Sequence, residues 1–357
     1  MLVFAELGAG QSNLVNQYTF NPEQRERWRL QRKLMHYGVG VQAVRKYRSF
    51  QNDESRLVAL DLLNKPDDYV KHFERYATSV VSIIGFGRRV ESSEDPIITE
   101  VIAVMQLAAE LNVPGKKFPM LMETFPFLAR FPNAIAPWKH GLGSKRGRGF
   151  FYALAEEAAK KPGHEDSFVK HLFAAREKYT LDDEEISALS GNLFGAGSDT
   201  SSSTLITFVL ACCAFPEALV PAYEELDRVV GPYRSPHFDD QPNLPYINAL
   251  VKEVLRWRSV AIIGGQPHSP TQDDTYNGWL IPKGTWIQGN VNGLNMRPRP
   301  FECSIEPRTE EIRQTIIREG RQALQDLQQY SGETKYRMST FYQRNDLAMK
   351  LFGDGVK

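Results

Sequence analysis

The polar and apolar positions along this chain repeat mostly with a helical period. In "NPEQRERWRLQRKLMHYG", Asn21 stands as an N-cap, Pro22 takes the first helical position, an acidic first turn follows and Gly38 is the stop. Further helical stretches are predicted at roughly 66–84, 97–112, 166–178 and 218–230. The longest is a single helix opened by a Thr180–Asp183 capping box and closed before Pro216. At 1.5 Å per residue it is roughly 50 Å long, enough to cross a whole domain. Between these stretches, 114–138 is rich in Pro and Phe and reads as short turns that can cap a cavity. Strand signals come late: "TYNGWLIPKGTWIQGNV" (275–291) is hairpin-like, and "FECSIEP" (301–307) alternates. After Pro307 a charged, moderately amphipathic run predicts a surface or frayed helix. The expected fold class is mainly α with a small β element. The expected division is one domain over 1–310 and a charged helical tail over 311–357.

Composition adds limits. With 357 residues, 42% hydrophobic and 11% aromatic, the chain can bury a large core. Lys plus Arg (43) balance Asp plus Glu (43), so no global field favours nucleic acid or an anionic membrane. The one basic patch, "SKRGRG" (144–149), reads as a solvated loop. Three cysteines, two of them adjacent, make neither a disulfide framework nor a cysteine zinc site. The start, "MLVFAELGAG", lacks the basic and long apolar regions of a signal peptide or anchor, so a cytoplasmic location is expected for the chain as written.

Three features carry chemistry. In the middle of the long helix stands "GAGSDTSSSTL" (195–205), where Gly195 and Gly197 each cost about 1 kcal/mol relative to Ala. Either these small residues let two helices pack tightly, or they open a groove for something flat, with an acid and a threonine to relay protons. The second feature is "LPYINALVKEVLRWR" (244–258), where Glu253 and Arg256 lie three apart, away from the apolar stripe of Ile247, Leu250, Val251 and Val254. Periodicity alone makes them a solvated ion pair. The third is Trp28 with Arg32, beside Arg25 and Arg29: a basic solvated helix with a packed Trp, or an anion clamp next to an aromatic.

In this order the three features resemble the cytochrome P-450 family of haem-thiolate monooxygenases, in the style of its fungal members. The residues are Trp28 and Arg32, Ala196–Gly197–Ser198–Asp199–Thr200, and Glu253–Val254–Leu255–Arg256. "PHSPTQDDTYNGWLIPKG" (267–284) and "PFECSIEPR" (300–308) are also similar to family segments, and the resemblance runs from about 12 to 310. It implies a helical fold of that family and a haem cofactor. It also implies insertion of one oxygen atom into a lipophilic molecule, an NADPH-dependent reductase as electron donor, and a place in secondary metabolism. By the same resemblance Ala196 and Gly197 would line the haem and dioxygen groove, and Asp199 and Thr200 would deliver protons. Trp28, Arg32 and His268 would hold the haem propionates, and Glu253 and Arg256 would be structural. Family members of this type are usually anchored in the endoplasmic reticulum membrane.

The sequence also departs from the family. The iron-ligating loop, Phe-x-x-Gly-x-x-x-Cys-x-Gly, is not found. The family-like text passes from "GNVNGLN" (289–295) almost directly to "RPRPFECSIEP" (297–307). "GFGRRVESS" (85–93) has the glycine and arginines without a cysteine. Cys212, Cys213 and Cys303 all fall outside the loop's place, and no histidine shows a partner spacing that marks it as a substitute ligand. Two other readings therefore stay open: a catalytically inactive, truncated family member, and a helical protein that holds a lipophilic ligand without turnover.

Overall fold

The computed structural model describes residues 22–95, 97–98, 142–164, 166–260, 270, 272–285 and 297–332. The stretches 97–112 and 114–138 therefore lie outside the described residues except for Ile97 and Ile98, which are buried. The longer helices among these residues are α1 (Pro22–Val39), α2 (Arg48–Asn64), α3 (Tyr69–Phe86), α4 (Leu142–Lys160), α5 (Phe168–Tyr179), α6 (Asp183–Ala214), α7 (Leu219–Val229), α8 (Pro245–Trp257) and α9 (Glu310–Asp326). One antiparallel hairpin, β1 (Asp274–Tyr276) and β2 (Trp279–Ile281), pairs Thr275 with Leu280. The fold is mainly α with a small β element.

Helix ends follow local chemistry. α6 opens on a capping box two residues after the expected one: the Glu185 amide donates to the Asp182 carboxylate at 2.7 Å, and the Asp182 amide donates to Glu185 at 3.3 Å. Thr180 instead closes α5, in the left-handed region at φ 51°. Pro216 stops α6, since its ring cannot extend the hydrogen-bond ladder. α3 ends on Gly87 at φ +66°, a conformation that side chains resist.

α6 is the axis. It packs along α3 and α4, and its first half is buried on nearly every side: Ile186, Leu189, Leu193 and Phe194 are at most 6% exposed. They join Phe151 of α4 and Phe86 of α3 in the main core. A helix this enclosed needs partners for its hydroxyls, and its own backbone supplies several. Ser190 donates to the Ile186 carbonyl, Thr204 to that of Thr200 and Thr207 to that of Ser203.

The alternating segment 301–307 forms no strand. It runs extended, and its inward residues Phe301, Cys303 and Ile305 pack on Tyr69 and Phe73 of α3 and on Ile206 and Val209 of α6. The Tyr69 hydroxyl donates to the Phe301 carbonyl at 3.1 Å. Beyond it α9 is well seated, not frayed. Thr309 caps it, and its inner side lies on α2 with Ala323 fully buried.

Candidate functional site on the long helix

The middle of α6 presents two unlike sides. Gly197 faces α3: a Cβ at that position would overlap the Val81 side chain, so the missing side chain is what lets the two helices approach. On the other side Ala196 is exposed, and Thr200, Thr204 and Phe208 follow at four-residue spacing toward solvent. The Thr200 hydroxyl donates to the Ala196 carbonyl at 2.6 Å, which holds its Oγ1 against the helix. The stretch thus combines tight packing on one side with an open polar and apolar surface on the other.

Asp199 is half-buried, with Nη1 of Arg297 at 3.9 Å. The same guanidinium bonds Glu74 of α3 at 2.6 Å. Arg297 therefore joins the extended segment to both core helices beside the acid.

α1 is held across the start of α6 by Arg27, a residue the sequence reading passed over. Its guanidinium donates to the Tyr179 and Thr180 carbonyls at 2.8 Å each and pairs with Glu185. This fixes the helix that carries Trp28 and Arg32. Arg32 is exposed; the side chain of Trp28 and all of His268 lie outside the described residues. On α8, Glu253 and Arg256 make a two-pronged pair at 2.7 Å in both arms, and both are exposed. The bond from Arg256 holds the Glu253 carboxyl below its usual range.

Cys212 continues the row of Ala196, Thr200, Thr204 and Phe208 at the same four-residue spacing. Cys212 stands about 18 Å along the helix from Thr200, at 1.5 Å per residue, and burial pushes its thiol up to about 11. Cys213 is exposed, and Cys303 lies on the side of α6 that faces α3. Among the described residues no group of three or more His, Cys, Asp or Glu is placed to hold a metal ion. None of their helices is by itself long and apolar enough to cross a membrane.

A second cluster was not anticipated. Glu54 of α2, fully buried, accepts from Arg75 at 2.8 Å and from the Ser79 hydroxyl at 2.7 Å, with Nε of Arg89 at 3.3 Å. Asp61 meets the other edge of Arg75 at 3.2 Å. Two carboxylates thus balance two guanidiniums inside the bundle. The only trace in the sequence was the Arg-Arg of 85–93, which has no periodicity to mark it as buried.

Residues 10–303 match the sequence profile of the cytochrome P-450 family. The chain belongs to that family. A cytochrome P-450 monooxygenase of Armillaria gallica is 34% identical over 285 residues, covering 78% of this chain and 55% of the relative. The monooxygenase polD of Polytolypa hystricis is 34% identical over 274 residues, covering 75% and 52%. The chain thus spans about half the length of these relatives. In fold it is similar to a zebra fish cytochrome P-450 solved with abiraterone, with TM-score 0.55 and 21% identity, covering 74% of this chain and 60% of that one. Membership of the cytochrome P-450 family implies haem iron. Among the described residues, the surface of α6 at Ala196 and Thr200 would take the flat face of such a group, and the cysteine on the same row, Cys212, stands about 18 Å along the helix from Thr200.

Proposed function

We propose that these residues carry the oxygen side of a cytochrome P-450-type monooxygenase site. The reaction is insertion of one oxygen atom into a lipophilic small molecule, with an NADPH-dependent reductase as electron donor. The observation that carries this reading is the row of exposed Ala196 and half-buried Thr200 and Thr204 on α6, within a chain of that family. Haem supplies dioxygen activation when bound. Thr200 holds a hydroxyl at the groove, and Asp199 holds a carboxylate next to it, oriented by Arg297. Ala196 leaves the surface clear, and Gly197 keeps α6 seated on α3 behind it. Arg32, with Trp28 and His268, would hold the propionates.

The cysteines favour a second reading. With Cys212 far along α6 and Cys303 packed among rings, the chain by itself would hold a flat lipophilic ligand without turning it over. One experiment separates the readings. The purified protein is loaded with haem, reduced and exposed to carbon monoxide. The strongly red-shifted Soret band of a thiolate-ligated iron, abolished by one Cys→Ala substitution, supports the monooxygenase. Haem uptake without that band supports the second reading. No uptake at all removes both.

A further inference from the structure

The family match ends at residue 303, yet the segment just after it is tied to several separate parts of the chain. Arg308 grips Asp227 of α7 with both arms, at 2.6 and 2.9 Å, and its guanidinium lies 4.4 Å over the Tyr223 ring. On α9, the Thr315 hydroxyl donates to the Pro232 carbonyl at 2.8 Å, and Glu319 accepts from the Ser235 amide at 3.0 Å. The inner side of α9 then lies on α2, where Gly320 allows close approach: a Cβ there would stand 2.7 Å from the Leu60 Cβ. One turn on, Ala323 and Leu327 are fully buried. Finally the Tyr330 ring sits between Phe50 of α2 (5.7 Å) and His164 (4.7 Å), and its carbonyl accepts from the Arg89 amide at 2.9 Å. The Gly332 carbonyl accepts from Arg88.

The geometry points to residues 308–332 as a clasp that locks α7, α2, the end of α3 and the α4–α5 connection into one cooperative unit. Surface bonds such as Arg308–Asp227 contribute little singly. What makes the segment a clasp is that its buried side is continuous, Thr315, Gly320, Ala323 and Leu327, while each flank is tied to a different part of the chain. A decorative tail helix would be exposed on all sides. This inference stands apart from the monooxygenase reading, since it concerns no ligand.

Hydrogen exchange on the full chain tests it. Amides of 315–327 should exchange within tenfold of the rate of the α2 amides, because both open only in the same event. Exchange of α9 more than tenfold faster than α2 would show a detachable tail and overturn the clasp. The Gly320→Leu variant should speed exchange in α2 as well as in α9, and adding Leu60→Ala should reverse part of that change. If α9 alone loosens in Gly320→Leu, the two are not one unit and the inference fails.

Discussion

Gly197 of α6 and Val81 of α3 meet with no room for a side chain between them. The contact lies in the α3–α6 interface, behind Ala196 and Thr200. Gly197→Val should therefore destabilise the protein by about 1–3 kcal/mol through overpacking, and Val81→Ala in the same chain should recover part of it. Urea midpoints of the two variants check this. An unchanged midpoint in Gly197→Val would mean that the helices slide apart freely there.

Glu54 is the shared acceptor of the buried charge cluster. Glu54→Gln leaves Arg89 facing an uncharged group in the core and Arg75 with Asp61 alone. Removing one partner of a buried pair costs about 3–5 kcal/mol, most of the stability of a domain near the low end of the usual 5–15 kcal/mol. The variant should show a broad, early melt by circular dichroism; a wild-type melting curve would show that water reaches the cluster.

Glu253→Ala should do far less. The pair with Arg256 is exposed on both sides, so its loss should move Tm by less than about 2 °C. A larger drop by calorimetry would reveal a partner for this pair beyond α8.

The thiols should separate by rate. Cys212, raised to about 11 from an ordinary value of 9, holds roughly a hundredfold less thiolate at pH 8 than an unshifted thiol. Iodoacetamide at pH 8 should therefore modify exposed Cys213 well before Cys212, as read by peptide mass spectrometry. The reverse order would mean that the end of α6 is unravelled.

Asp240 gives a pH prediction. The two arms of Arg234 and the His237 amide hold its carboxyl at about 2 instead of 3.8. A depressed carboxylate stabilises the folded loop above the unfolded value, and that contribution fades as pH falls from about 4 toward 2. Carboxyl NMR should find the Asp240 midpoint well below the ordinary 3.8; a midpoint at 3.8 would show that the Arg234 contact does not persist.

Much of the helical frame was legible because caps and breakers are local. Pro22 and Pro216 mark their helix ends in the sequence as in the structure. The α6 cap was misplaced from Thr180 to Asp182 because two acceptors stood close together, and only the turn from α5 chose between them. The solvated-pair geometry of Glu253 and Arg256 follows from their position off the apolar stripe of α8. Segment 301–307 had the alternation of a strand, but pairs with no neighbour and uses its period to pack on α3 and α6. The Glu54 cluster was invisible because charged residues on a helix look alike whether they meet water or one another. For Gly197 the sequence left two readings, packing or groove. The structure places the packing at Gly197 itself and the open surface at its neighbours Ala196 and Thr200.

The docking of α9 on α2 also sets an order of events in the cell. A ribosome makes α2 early and the helix that covers it late, and at about 5–20 residues per second the two are separated by on the order of tens of seconds. During that interval Phe50 and Leu60 stand without the cover they finally receive from Tyr330 and Gly320. The nascent chain thus keeps the α2 surface around Phe50 and Leu60 open until Gly320 and Tyr330 have been made.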